Sequence, residues 1–377
     1  MEHIAYLDNS STTKPSKKVV QYITRALESN WGNPSSLHRI GMEAEIALNE
    51  ARESVAHTVN ARADEIFFTG SGTEANNTAL LSVLKAKSRG GRIITTAIEH
   101  PSVLETAKRL VDYGFEVVCL KPDSNGIIPI TELENALTDN TLLVSMMLVN
   151  NETGAVQPVE KAAALTRHIA PLALFHCDAV QGYGKLSVNV KRLGVDLLSA
   201  SGHKIHGPKG IGFLYCKKGV HISQLITGGG QERGMRSGTE STPLIMGLMG
   251  AAEELPKPET QLKIQQELFD YTRDRLLKIG ALINSPEGCL PYILNISLVG
   301  YRSETLLHFL ESRNVFVSSG SACAKGHGSY VLNEMGLEPK RVDSALRISF
   351  SRYNTKEDAD MLVSALEEAK KQLRKAN

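Results

Sequence analysis

Long apolar runs are missing from this chain. The longest, Leu142 to Val149 with Ser145 inside it, is far too short to cross a bilayer. It reads as a buried strand, and no membrane partner is expected. An excess of charge of one sign is missing too. The formal net charge is +1, which gives no electrostatic reason for a nucleic-acid or membrane-surface partner. Cysteine is sparse: five residues, an odd number and widely scattered, do not suggest a disulfide framework. A reducing, cytoplasmic setting is expected. The Met1-Glu2-His3 start has neither the basic nor the apolar region of a secretory signal. Internal repeats and low-complexity tracts are absent. Neither Gly70-Ser71-Gly72-Thr73-Glu74 nor Gly207-Pro208-Lys209-Gly210 continues as a Walker motif.

What is present is organised. The length of 377 residues suits two domains, and 42% hydrophobic residues suffice for a large core. Strand-like runs at Glu65–Thr69, Arg92–Ile98, Phe115–Leu120, Leu142–Val149, Leu172–Cys177 and Val195–Ala200 alternate with helical patterns such as Thr73–Lys87 and Pro101–Tyr113. This alternation predicts an α/β fold with a mostly parallel sheet covered by helices. Gly210–Cys216 reads as an edge strand or antiparallel return. The pattern changes after about Ala251. A helix over Thr260–Gly280, strands at Tyr292–Val299, Val315–Ser318 and Ala345–Ser351, and a helix over Ser303–Arg313 suggest a compact α+β second domain. Thr355-Lys356-Glu357-Asp358 is a capping box for the last helix, with Leu362, Leu366, Ala369 and Leu373 on one face.

Chemistry-bearing residues fall at the ends of successive predicted strands, where open α/β sheets bind ligands. The Gly70–Glu74 turn leads from a strand into a helix, an arrangement that suits an anion. Asp178 ends one strand, and Ser201-Gly202-His203-Lys204 follows the next. A lysine to hold an aldehyde and an acid to keep a pyridine nitrogen protonated are what a pyridoxal phosphate enzyme needs. His100 is placed to stack on such a ring, Asn151 and Gln181 to bond its hydroxyl, and Ser201 and His203 to reach the phosphate. Among the cysteines, Cys119 and Cys216 lie in apolar strands and are expected to pack as small hydrophobes. Cys177, beside His176 and Asp178, lacks a second ligand pair for a metal, and Cys289 has no catalytic neighbours. Cys323 stands apart in Ser318-Ser319-Gly320-Ser321-Ala322-Cys323-Ala324-Lys325-Gly326-His327-Gly328, a setting that suits an exposed, reactive thiol.

With these residues the chain resembles the NifS/IscS-like cysteine desulfurases, on the class V branch of the fold-type I pyridoxal phosphate enzymes. The likeness runs through Tyr6-Leu7-Asp8-Asn9-Ser10-Ser11-Thr12-Thr13, Gly32-Asn33-Pro34-Ser35-Ser36 with His38, Glu99-His100, Asn150-Asn151-Glu152-Thr153-Gly154, Arg236-Ser237-Gly238-Thr239, the Cys323 segment and Arg347-Ile348-Ser349. It implies a large domain over 15–255 with a seven-stranded, mostly parallel sheet, and a small α+β domain from 1–14 and 256–377. It implies Lys204 as the Schiff-base lysine and Gly72, Thr73, Ser201 and His203 at the phosphate, joined by Thr239 from across a homodimer interface. Asp178 would face the ring nitrogen, with Asn151 and Gln181 on the ring. Arg347, helped by Asn33, would bind the substrate carboxylate, and Cys323 would be the nucleophile.

The expected reaction converts L-cysteine to L-alanine and leaves a persulfide on Cys323. His100 would move protons near the leaving sulfur, and His327, Lys325 or a substrate group would help form the thiolate. The acceptor would be a protein, either an iron–sulfur scaffold or a tRNA-thiolation enzyme. A short glycine-rich segment after Cys323 and an end at Asn377 lean the expectation toward the latter. Selenocysteine lyase, class V aminotransferase and a non-catalytic scaffold are the rival readings. No metal and no direct nucleic-acid partner is expected.

Overall fold

The computed structural model describes residues 3–319 and 328–375. A short strand, Ala5–Tyr6 (β1), opens the chain. Ile66–Thr69 (β2), Arg92–Thr96 (β3), Glu116–Leu120 (β4), Thr141–Ser145 (β5), Leu174–Asp178 (β6), Leu197–Ser201 (β7) and Gly212–Cys216 (β8) then form a seven-stranded sheet in the order β2-β8-β7-β6-β5-β3-β4. Pairing is parallel from β4 through β3, β5 and β6 to β7. β8 is antiparallel to both of its neighbours, β7 and β2. Every residue of β7 and β8 is buried, as expected where both sheet faces are covered.

Of the two readings of Gly210–Cys216 the structure takes the antiparallel return, and three local expectations change. The Gly210–Cys216 segment is antiparallel but not an edge, since β8 lies between β2 and β7. The edge on the other side is β4, where Glu116 and Cys119 are exposed. Cys119 therefore does not pack in the interior as its apolar neighbours suggested. The strand read over Leu142–Val149 ends at Ser145. Beyond it the backbone still leans on the β6 side, with Met146 N donating to His176 O (3.1 Å) and Leu148 N to Asp178 O (2.8 Å), but the regular ladder is broken. The helix expected over Thr73–Lys87 runs as α-helix over Gly72–Leu81 and tightens to a 3₁₀ helix over Ser82–Arg89.

In the C-terminal third, Leu282–Ile283 (β9), Ile293–Ser297 (β10), Val315–Phe316 (β11) and Ala345–Ser349 (β12) follow. β10 is the centre of an antiparallel β12-β10-β9 sheet, and β11 pairs in parallel with β1. Bridges join Asp8 to Ser349 and Ser318 to Arg347. The helices Pro258–Lys278 and Lys356–Gln372 bury Leu268, Phe269 and Leu276, and Leu362, Leu366 and Ala369, against this region. The capping box pairs Thr355 and Asp358 as expected.

The arrangement creates one favoured ligand crevice. β2 and β7 are both antiparallel to β8, so they run the same way as β3, β5 and β6. With β4, parallel to β3, six strand ends thus face one side. From β3 the chain moves outward to β4, whereas β5 lies on the other side of β3 and leads to β6. Such a reversal of strand order opens a gap between neighbouring loops. The N-terminal segment crosses this side, with Thr13 N donating to His203 O at 2.9 Å.

Candidate active site

A cavity of about 370 Å³ opens at these strand ends. At one end of it, the turn after β2 enters the helix Gly72–Leu81. Ser71 caps this helix, its Oγ accepting from Glu74 N at 3.0 Å. A helix leaves its first N–H groups without acceptors of its own, so those of Gly72 and Thr73 form an anion seat. A Cβ on Gly72 would stand 2.7 Å from Val180 Cγ2 and 3.3 Å from Ser201 Cβ, so glycine lets the turn close against the end of β7. Ser201 and His203 line the same cavity. Burial, reinforced by Lys204 and other nearby positive groups, pushes the His203 imidazole down to about 4, which keeps it neutral.

Asp178 closes β6 and is buried. Its Oδ2 accepts from Asn76 Nδ2 (2.7 Å) and its Oδ1 from Val180 N (2.9 Å). Asn76 also donates to Ser102 Oγ (2.9 Å). Ser102 Oγ in turn lies 2.8 Å from His100 Nδ1. His100 caps the helix Pro101–Asp112, accepting at Nδ1 from Ser102 N (3.1 Å). The proline in the first turn has no N–H to satisfy. Burial and, less strongly, Lys204 lower the His100 pKa against the opposing pull of Asp178. One network therefore fixes both the acid and the imidazole.

Lys204 sits in the single 3₁₀ turn Gly202–Lys204 after β7. Its Nζ donates to Ser10 O and, at 2.7 Å, to Ser11 O. Burial first, and the Arg347 guanidinium second, push its pKa down to about 8. Arg347 comes from β12 and is buried. It donates to Asp8 Oδ1 (2.8 Å), Ser11 Oγ (2.6 Å) and Asn151 O (3.1 Å), and its Nε finds no partner among the described residues. The Asp8 salt bridge is the reason this cation is tolerated inside. Gln181 Nε2 donates to Ser10 O at 3.0 Å.

The structure brings Gly72, Thr73, His100, Asn151, Asp178, Gln181, Ser201, His203, Lys204 and Arg347 to one cavity. Two expected residues stay outside it. Asn33 is exposed and accepts from Ser35 N at 2.9 Å. Thr239 is exposed as well, three residues beyond Arg236, which pairs with Glu74 at 3.0 Å beside the anion seat. Cys323 falls in 320–327, outside the described residues. On one side of that segment the chain pairs with Arg347, and on the other it lines the cavity. Ser318 exchanges backbone hydrogen bonds with Arg347 (3.1 and 2.6 Å), and Tyr330 lines the cavity. Burial raises the thiol pKa values of Cys177, Cys216 and Cys289, the last two to about 12 and 11. Ser145 and Ser199 occupy both ring nitrogens of His176 (2.8 and 2.9 Å).

Sequence reasoning missed Asn76, Ser102, Ser10, Ser11 and Tyr330 as lining residues. Asn76 had a usable signal, because it lies one turn after Thr73 on the same helix face. Ser102 had one as well, two residues past His100 at a helix start. Tyr330 reaches the cavity through tertiary folding alone.

The residues fit pyridoxal phosphate. Among the described residues Asp178 is a buried carboxylate held by N–H donors alone and Asn151 Oδ1 is buried without a partner, and the glycine turn offers an anion seat beside the lysine. Comparison with known proteins agrees with this fit. Residues 5–362 match the family described as aminotransferase class-V. A protein named cysteine desulfurase IscS from Clostridium botulinum (strain Kyoto / Type A2) is 41% identical over 386 residues, covering 99% of this chain and 96% of that protein. A solved structure titled NIFS-like protein superposes with a TM-score of 0.93 at 38% identity, covering 98% of this chain and all (100%) of the other. Another, titled SspA in complex with cysteine, gives a TM-score of 0.82 at 34% identity over 93% of this chain and 99% of the other.

Proposed function

The chain belongs to the aminotransferase class-V family, among its cysteine desulfurases, and on that premise we propose how its own residues take sulfur from L-cysteine. The enzyme depends on pyridoxal phosphate, which when bound supplies an electron sink for the charge left as an amino acid loses its Cα proton. Gly72, Thr73, Ser201 and His203 hold the phosphate. Asp178, oriented by Asn76 and Val180 N, keeps a proton on the ring nitrogen. His100 covers the ring, and Asn151 and Gln181 bond its hydroxyl. Lys204 would hold the aldehyde, and its amine is the group placed to move the Cα proton. A pKa near 8 leaves a usable fraction of neutral amine at physiological pH, which a solvent-exposed lysine lacks. Arg347, a cation in the cavity lining, binds the substrate carboxylate. His100, held neutral, handles the proton at the substrate sulfur.

Cys323 is the nucleophile. Its thiolate attacks the sulfur, the carbon–sulfur electron pair goes to the β-carbon, which takes a proton, and alanine leaves with a persulfide on Cys323. The observation that carries this reading is the convergence of Lys204, Asp178 and Arg347 on one cavity that is also lined by Tyr330, three residues past the 320–327 segment that holds Cys323.

A homodimer completes the site, with Thr239 serving the neighbouring phosphate, and Asn33 helps Arg347 at the substrate carboxylate. The exposure of Val20, Leu27, Trp31, Leu37, Met42 and Ile46 supports such an interface. The sulfur acceptor is a protein, an iron–sulfur scaffold or a tRNA-thiolation enzyme, met in the cytoplasm. No helix among the described residues is long and apolar enough to cross a membrane. The pairing of β1 with β11 supports a division into 15–255 and a second unit of 1–14 with 256–377.

The test is to supply L-cysteine and map added sulfur by mass spectrometry. One extra sulfur on Cys323, with alanine formation lost in Cys323→Ala, is the expected result. Full cysteine turnover in Cys323→Ala would favour the aminotransferase reading. Faster alanine release from selenocysteine with no need for Cys323 would favour the lyase.

A further inference from the structure

Lys185 is a lysine that the reaction does not use, yet it is 6% exposed. Among the described residues it has no carboxylate partner. Its Nζ donates to Gln181 Oε1 at 3.1 Å and stands 5.7 Å from the centre of the Tyr292 ring. Burial first, then the charges of Lys204 and Arg347, push its pKa down to about 7. Burying a lysine with no counter-ion among the described residues carries a cost whether it stays charged or gives up its proton, so its hydrogen bond to Gln181 bears on its role.

That contact decides which way round the Gln181 amide lies. The ammonium form has donors and no acceptor, and Ser10 O on the far side can only accept, so the carbonyl end of Gln181 faces Lys185. The other end, Nε2, then faces the cavity side and donates to Ser10 O at 3.0 Å, the same carbonyl that receives Lys204 Nζ. A reversed amide would set two donors against each other at Lys185 and two acceptors against each other at Ser10. We infer that Lys185 is a positioning residue that locks Gln181 as a hydrogen-bond donor toward the cavity. An oxygen of the bound ring, and not a ring donor, is thereby selected beside Gln181. The inference deepens the proposed function and rests on it.

The test compares Lys185→Met, which keeps the length and removes the donor, with Lys185→Arg, which keeps a donor-only cation. Each is made in the parent and in a Gln181→Ala background. The readouts are the affinity of the apoprotein for pyridoxal phosphate and the absorption maximum of the bound cofactor, with thermal melting to confirm folding. Lys185→Met should weaken cofactor binding about tenfold and shift the absorption maximum, and Lys185→Arg should restore both to within about twofold. In the Gln181→Ala background Lys185→Met should add little, because the two residues act as one unit. Parent-like binding and absorbance in folded Lys185→Met, or losses that add in full with Gln181→Ala, would overturn the inference. If Lys185→Met does not fold, Lys185→Arg decides. Its amide orientation at Gln181, read from a crystal structure, should match the parent, and a reversed amide contradicts the inference. Failure of the parent protein to take up pyridoxal phosphate would instead sink the proposed function.

Discussion

At the scale of residues, the site works by taking groups out of water. Lys204 combines burial with a cation, Arg347, nearby, and both favour its neutral form. Attachment of an aldehyde requires that neutral amine. The rate at which apoprotein takes up pyridoxal phosphate should therefore rise with pH and level off near 8. A rate still climbing toward the ordinary lysine value of about 10.4 would contradict this. Asp178 acts differently, since its value lies in a charge fixed by Asn76 and Val180 N. Asp178→Asn keeps the shape and loses the charge. It should bind cofactor yet lose roughly 100-fold or more in kcat/KM with L-cysteine, the scale of a lost acid–base contribution. An Asp178→Asn enzyme within a few-fold of the parent would remove Asp178 from the mechanism.

At the scale of elements, the loops that carry these residues are anchored by buried polar contacts. Arg52, in the helix Arg39–Thr58, makes a two-pronged pair with Glu232 (both 2.7 Å), and Glu232 also accepts from Phe68 N in β2 at 2.8 Å. This ties β2, and hence the Gly72 turn, to the 231–240 segment that includes Thr239. Glu232→Ala leaves Arg52 buried and unpaired. It should cost about 3–5 kcal/mol of stability, the usual penalty for breaking a buried pair, read as a lowered urea midpoint. An unchanged midpoint would mean that the segment is held elsewhere. Elements were also what the sequence made most legible. Alternation of apolar runs and helical patterns was enough for the parallel sheet, because parallel strands covered on both faces must be apolar throughout. The strand ends were legible too, and with them His100, Asp178 and Lys204. Strand order was not: nothing local distinguishes an internal antiparallel β8 from an edge, or shows that β4 is the edge that exposes Cys119. Arg347, Tyr330 and Ser10 enter the cavity from distant parts of the chain, so no window of sequence could reveal those contacts.

At the scale of the whole molecule, buried titratable groups set the response to acid. His176 is pushed down to about 3, and His203 and His206 to about 4, all chiefly by burial. The unfolded chain protonates these imidazoles near 6.5, whereas the folded one resists until about 4. Stability present above pH 6.5 is therefore lost as pH falls from 6.5 toward 4. Glu99 opposes this. Burial raises its pKa to about 8, so the folded state holds a proton that the unfolded chain gives up above about 4.5. Burial raises Glu152 as well and lowers His100 as well; four lowered histidines outweigh two raised carboxyls between pH 4.5 and 6.5, and the melting temperature should fall as the pH is lowered across that window. A melting temperature that holds or rises there would show that the histidines are not neutral in the fold.

The claim on which the account depends is that Lys204, and no other buried lysine, holds the cofactor. Borohydride reduction of the holoprotein followed by peptide mapping tests it most directly. The expected result is pyridoxal phosphate fixed to Lys204 and absent from Lys204→Ala. Attachment at Lys185 or at any other lysine would contradict it.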